Sequence, residues 1–277
     1  MMMLAMQDRL SSMVVDRLRR VPTLGYVWIV VLGLLAWSYG QAEIDMVGLF
    51  SGLGQAWRYI FGSPDRPGSG YFPPSLDQLP EYLDEMIVTV KMAVWGTALS
   101  VPPALLLAFL AARNAQKSYG IYLLARRTLD FLRSLNELII ALIFVAAVGL
   151  GPFSGVMALA VGGIGSLGKL LSEAIEGLDM GQVEGVRATG ASPLQVIVKG
   201  FGPQLMPLFT SLALYRFEAN VRAASILGLV GAGGIGYYLQ VSMQSFENRN
   251  VCTILIVIVV FVAVIDSASA SIRKRLV

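Results

Sequence analysis

The chain has 277 residues, of which 56% are apolar and 14% charged, with a formal net charge of +3. With a mean hydropathy of +0.68 it lies well outside the soluble average, which points to a polytopic membrane protein with several hydrophobic spans. Histidine is absent, removing the commonest metal ligand and general base, and the single cysteine, Cys252, excludes an intrachain disulfide framework or a cysteine metal cluster.

A spanning helix needs about 20 mostly apolar residues to cross a hydrocarbon core about 30 Å thick. The first candidate, Thr23 to Gly40, follows a segment (1-22) that carries Arg9, Arg17, Arg19 and Arg20, which the positive-inside rule assigns to the cytoplasm. Gly40-Gln41-Ala42 resembles a signal-peptide cleavage site. The apolar run exceeds a typical signal core, however, and Tyr26, Trp28, Trp37 and Tyr39 suit interfacial anchors, so it is read as a retained span. Residues 41-85 hold only Arg58 and Arg66 against Glu43, Asp45, Asp65, Asp77, Glu81, Asp84 and Glu85, and are expected to form an external loop.

The second span runs from Met86 to Ala112, with Lys91 near its outer end able to snorkel and Pro102-Pro103 expected to kink it. Arg113, Lys117, Arg126, Arg127 and Arg133 then place the chain back in the cytoplasm. Glu137 to Leu150 and Gly155 to Leu171, separated by the turn signal Gly151-Pro152, read as a helical hairpin. Leu205 to Val230 and Val251 to Ala270 bring the count to about six transmembrane helices. The expectation is an all-α fold with one membrane domain over 23-270 and a basic cytoplasmic tail over 271-277. These basic clusters report topology, and a nucleic-acid partner is not expected.

Span parity puts the polar segment 172-203 in the cytoplasm, between spans four and five. Leu171, Ala174, Ile175 and Leu178 follow amphipathic helical spacing, and Gly190 can end that helical course. Ser192-Pro193 reads as an N-cap and first-turn proline for a second short helix, Leu194 to Lys199, with Pro203 and Pro207 at the start of the fifth span. Pattern alone fits an ordinary amphipathic connector equally well.

Arg216, Glu218, Asn220 and Arg222 fall well inside the fifth apolar run, where an unpaired charge costs several kcal/mol. Glu218 and Arg222 are spaced i, i+4 with the acid first, as in an intrahelical ion pair. Alternatively, Arg216 or Arg222 faces a translocation path and offers its guanidinium to an anion. Further on, Gly231-Ala232-Gly233-Gly234-Ile235-Gly236 formally satisfies a dinucleotide-binding fingerprint. No strand precedes it and the acid expected about 20 residues later is missing, so these glycines are read instead as turn or close-packing residues near an outer gate, with Gly228 as a helix-packing residue.

Glu184, Gly190 six residues on and Pro203 thirteen beyond that resemble the E-A-A, Gly and Leu-Pro signature of bacterial ABC importer permeases. The chain departs from it at Gly185-Val186, where the signature has two alanines, and at Gly200 and Gly202, where it has Ile and Leu. Leu214-Tyr215-Arg216-Phe217-Glu218, Asn220-Val221-Arg222 and Gly228 through Gly236 further resemble the phosphonate importer permeases. So do Ala93 to Ala98, Val148 to Phe153 and Lys169 to Ala174, so that the likeness extends from about Tyr71 to near the C-terminus.

The resemblance implies a type I ABC importer permease fold in a bacterial inner membrane, with both termini cytoplasmic and no catalytic residues of its own. Two ATPase subunits would hold ATP and Mg, and this chain would bind no cofactor or metal. Glu184, Arg187, Ala188, Gly190, Ala191, Ser192 and Pro203 would form the coupling surface for the ATPase. A second permease copy would complete the pore, the surrounding lipid would solvate it, and a periplasmic or tethered phosphonate-binding protein would dock outside, with the 41-85 loop and Tyr237 to Asn250 as candidate contacts. An ion-coupled secondary transporter of a small anion is the alternative, although no internal repeat is evident between the two halves.

Overall fold

A computed structural model describes residues 25–39, 48, 52–62 and 70–275. The basic residues of segment 1-22 and part of loop 41-85 therefore lie outside the described residues, as do the last two residues of the tail. The chain divides into two units, Met1–Arg58 and Tyr59–Val277. In the first, α1 (Gly25–Tyr39) is apolar and exposed along its whole length, as a helix solvated by hydrocarbon would be. The helix α2 (Leu53–Phe61) begins in that unit and runs into the second.

In the second unit every described element is helical. The first long helix, α3, covers Leu79–Leu110 and is about 48 Å long at 1.5 Å per residue. It starts seven residues before the expected span because Pro80 sits in its first turn and Glu81 favours the positive end of the helix dipole. The acids read as the end of an external loop are thus helical. Pro102 and Pro103 lie inside the same helix.

The basic connector expected after the second span is itself a helix, α4 (Tyr119–Ser134). It buries Ala125 and Leu129, and a bend of 84° leads from it into α5 (Glu137–Val148), whose first turn is capped by the Asn136 side chain. Twelve residues make α5 about 18 Å long, too short to cross a bilayer core alone. Gly149 and Gly151 take positive φ in the turn to α6 (Pro152–Glu176). This helix is the hub of the unit. A Cβ on Gly163 would lie 2.7 Å from Ser100 Cβ, and one on Gly165 would lie 2.5 Å from Arg133 N, so glycine lets α3 and α4 approach its backbone.

After α6 come α7 (Met180–Ala188) and α8 (Pro193–Val196), then a π turn over Ile197–Phe201 that leads into α9 (Gly202–Leu227). A 3₁₀ turn, Gly228–Val230, ends α9 and a 41° bend separates it from α10 (Ile235–Gln244). Much of the candidate binding-protein contact from Tyr237 to Asn250 is therefore helical. The last helix, α11, covers Asn248–Arg273. By length and hydropathy α3, α6 and α11 can each span a membrane, the bent pairs α4–α5 and α8–α10 add two further candidates, and α1 is a shorter apolar helix.

Two apolar clusters hold the ends of this unit. One joins Ala104, Ala108, Leu167, Leu171 and Ile175 to Val183, Val196, Phe201 and Leu205. The other joins Tyr82, Met86 and Ala93 to Val221, Ile235, Ile254 and Val257. The first positions the segment between α6 and α9, and the second positions the turn between α9 and α10.

Candidate functional site

The segment between α6 and α9 is a folded elbow with a buried inner face and an exposed outer one. Gly177 caps α6, and Asp179 caps α7 by accepting from Gly181 N at 2.9 Å. The same residue is tied to the start of α9, where Asp179 N donates to Gln204 Oε1 at 3.0 Å and Gln204 Nε2 donates back to Asp179 O at 3.2 Å. Val183 is fully buried beside Gly200, whose missing Cβ would sit 3.3 Å from Val183 Cα. That close approach explains why glycine is useful where the importer signature has a larger residue.

Gly190, at φ +79°, turns the chain between α7 and α8. Ser192 then forms a capping box with Gln195: Ser192 N donates to Gln195 Oε1 at 2.9 Å and Gln195 N donates to Ser192 Oγ. The short helix expected over Leu194 to Lys199 is α8 plus most of the π turn. Asn114, just past α3, donates to Ile175 O at 2.7 Å, so the elbow is braced from a third helix. Glu184, Arg187, Ala188, Gly190, Ser192 and Pro203 are exposed, Ala191 is half-buried against the core, and Leu194 and Val198 are 70% and 60% exposed. A rigid, partly apolar surface of this kind suits docking to another protein.

The charges of α9 pair between helices. Arg216 Nη2 pairs with Glu137 at the start of α5, Glu218 with Arg273 at 2.7 Å, and Arg222 Nη1 with both oxygens of Asp266 at 2.9 and 3.0 Å. The expected intrahelical pair of Glu218 and Arg222 does not form, because acids and bases on α5 and α11 face each charge more directly. Asn220 is fully buried and donates to Thr97 Oγ1 at 2.8 Å. Asp266 and Arg273 belong to the last two turns of α11, which puts the Glu218 and Arg222 pairs at the C-terminal end of that helix.

The glycines after α9 form a locked turn. A Cβ on Gly228 would lie 2.5 Å from Gly236 Cα, and one on Gly236 would lie 2.1 Å from Ser225 O. Gly231, Gly233 and Gly234 have positive φ. The Gly231 carbonyl accepts from Gly151 N at 3.0 Å, and Ile235 N donates to Thr89 Oγ1 at 2.9 Å. The turn between α5 and α6 and the turn between α9 and α10 are thereby joined to each other and to α3.

Residues 104–277 match the family model described as binding-protein-dependent transport system inner membrane component. The chain belongs to this family. It is a permease component of an ABC importer, resident in the inner membrane and distinct from the ATPase subunit. The permease is 42% identical over 203 residues to the phosphite transport system permease protein PtxC of Stutzerimonas stutzeri, covering 73% of this chain and 74% of that one. A second S. stutzeri relative, the putative phosphite transport system permease protein HtxC, is 37% identical over 88% of this chain and 84% of its own. The phosphate-import permease protein PhnE of Mycolicibacterium smegmatis is 40% identical over 95% of this chain and 47% of its own. Among solved structures, the inward-facing MetNI methionine ABC transporter gives a TM-score of 0.58 at 23% identity over 72% of this chain and 96% of that one, a likeness of fold.

Within the permease, the elbow residues other than Ala191 are individually exposed, and they lie on different elements from the charges of α9 except for Pro203, which is in the first turn of α9. Sequence reasoning missed the partners Glu137, Asp266 and Arg273, as well as the Thr89 and Thr97 acceptors. A signal existed for the acids: Glu137 and Asp266 are lone carboxylates bordering or inside apolar runs, and each matches an interior arginine on the fifth span.

Proposed function

We propose that this permease carries phosphite, phosphonate or a related tetrahedral phosphorus oxyanion, and that ATPase closure drives it through the elbow over residues 172-203. The observation that carries the substrate class is the 42% identity to a phosphite permease, accompanied by relatives named for phosphite and phosphate import. Two copies of the chain form the pore across residues 23-270, with segment 1-22 and tail 271-277 both cytoplasmic. Two ATPase subunits hold ATP and Mg and dock on Glu184, Arg187, Ala188, Gly190, Ala191, Ser192 and the neighbourhood of Pro203. A periplasmic or tethered binding protein delivers the oxyanion to the opposite face, where loop 41-85 contributes contacts.

The geometry supports this division of labour. A lever must be stiff, and the elbow is clamped by the Asp179–Gln204 hydrogen bonds, the Ser192 capping box and the buried Val183. Arg216 and Asn220 share the face of α9 that meets α5 and α3 and is read as the path side, Glu218 and Arg222 point to α11 on the opposite face, and Gly228, Gly231, Gly233, Gly234 and Gly236 are read as a gate turn that moves as one piece. In a reconstituted complex, ATP hydrolysis is expected to rise with binding protein loaded with phosphite or methylphosphonate and not with unloaded protein. Stimulation by a non-phosphorus ligand alone would overturn the substrate class. Gly190→Trp is expected to insert normally and lose substrate-stimulated hydrolysis; normal coupling in that variant would remove the elbow from the coupling role.

A further inference from the structure

Arg216 is 9% exposed, and its Nη2 is taken up by Glu137, yet its Nε has no acceptor. One helical turn further along α9, Asn220 Oδ1 is buried and has no donor. The amide orientation follows from its neighbours: Thr97 gives its own proton to Ala93 O at 2.7 Å, so its oxygen accepts from Asn220 Nδ2. An unfilled donor and an unfilled acceptor thus stand at i and i+4 on one helix, where neighbouring side chains meet. Buried polar atoms left open are costly, and both persist here.

Glu137 is the more exposed member of its pair. Its side chain is 27% exposed and borders a pocket of about 290 Å³, lined also by Asn136, Leu138, Ala223, Ile226 and Leu227. Across from it α6 presents Gly162, where a Cβ would lie 2.9 Å from Glu137 Cγ, and Gly163, where one would lie 3.6 Å from Arg216 Nε. Glycine at these two positions keeps α6 from setting a side chain there, and Ser100 of α3 packs against Gly163 beside Arg216. The other cations of α9 and α11 are committed elsewhere, Arg222 to Asp266, Arg273 to Glu218 and Arg249 to the Pro73 carbonyl.

We propose that Glu137 is an internal counter-anion, which holds Arg216 until a monoprotonated tetrahedral oxyanion displaces it, accepting from Arg216 and donating to Asn220 Oδ1. The proposal rests on the phosphorus-oxyanion reading above. A P–O⁻ group suits the free Nε–H and a P–OH group suits the free carbonyl oxygen, so one ligand satisfies both groups. Glu137 swings towards its pocket. Its return expels the oxyanion, which gives a carrier the weak binding that release requires. A fully deprotonated oxyanion such as sulfate has no proton for Asn220 and is discriminated against.

The test uses the full complex of permease, ATPase and binding protein. Phosphite uptake into proteoliposomes by the wild type is measured first; its absence for every phosphorus oxyanion removes the functional reading and the exchange with it, whereas uptake leaves the variants to decide the exchange alone. Glu137→Gln is expected to raise phosphite affinity of the solubilised complex by about tenfold, the change that ~1.4 kcal/mol gives, while slowing uptake. Wild-type affinity and rate in that variant would overturn the exchange. Glu137→Asp keeps the charge on a shorter stem and is expected to fall between the two, which keeps the proposal testable if the Gln variant fails to assemble. A purely structural pair would survive as Glu137→Gln with Arg216→Gln, so uptake retained by that double variant would also overturn the exchange. Sulfate competing with phosphite as an equal would overturn the recognition by Asn220.

Discussion

The elbow between α6 and α9 and the turn between α9 and α10 both owe their shape to glycine, but in opposite ways. In the elbow, a Cβ on Gly185 or Gly190 would meet nothing within 4 Å. In the turn, Gly228, Gly233, Gly234 and Gly236 each have a neighbour under 3.0 Å from the place a Cβ would take. The elbow leaves the glycines of its outer face open, although Gly200 on its inner face approaches Val183 closely, whereas the turn combines positive φ at Gly231, Gly233 and Gly234 with backbone contact between Gly228 and Gly236. A partner can dock on the first, whereas the second is packed against α3 and the turn between α5 and α6.

The largest effect is expected where that contact is tightest. Gly236→Ala would press a methyl onto Ser225 O and Gly228, which are backbone and cannot rotate aside. Such overpacking costs about 3 kcal/mol. Thermal unfolding in detergent, followed with membrane abundance, is expected to show a sharp loss for this variant. Near-normal stability would mean that the two helices can slide apart at little cost, and the turn would then not be a rigid piece. Next in size is Thr89→Val, which leaves Ile235 N buried without its acceptor and is expected to cost about 1–3 kcal/mol in the same assay.

How much of this was legible in the sequence differs between the same two regions. Elbow signals are local: Gly190, the Ser192-Pro193 cap and the paired apolar positions each act within a turn of themselves, so the capping box and the break at Gly190 could be read from residue order. What holds the glycine turn is distant in sequence. Thr89 lies 146 residues from Ile235, and Glu137 lies 79 from Arg216. Local spacing therefore favoured a Glu218 to Arg222 pair that packing replaced with Arg273 and Asp266. The helix α4 was hidden for a related reason: its arginines marked topology, while Ala125 and Leu129 are buried against the end of α3, Leu129 also meets Gly168 of α6, and the 2.6 Å pair between Lys169 and Asp130 depends on α6.

Within the elbow, Gly190→Ala tests conformation without crowding. A Cβ at φ +79° is strained although space is free, and the left-handed conformation costs roughly 1–2 kcal/mol for an L-residue. Gly190→Asn is expected to cost less, because asparagine tolerates that region. The ratio of the two losses, read from unfolding midpoints, separates backbone strain from side-chain crowding. Equal losses would indicate that something covers Gly190 and would erase the contrast with the turn.

The smallest expected change is a gain. Gly185 sits within the nine residues of α7, exposed, with open space where its Cβ would be. Glycine inside a helix is destabilising by roughly 0.5–1 kcal/mol relative to alanine, so Gly185→Ala should raise stability by about that amount. The importer signature has alanine at this position, so substrate-stimulated ATP hydrolysis should survive the substitution. A gain in stability with coupling intact would show that the outer face of the elbow has room for one methyl under the docked ATPase. A gain with coupling lost would place Gly185 in direct backbone contact with that partner, making the elbow as closely packed in the assembled importer as the glycine turn is within the chain.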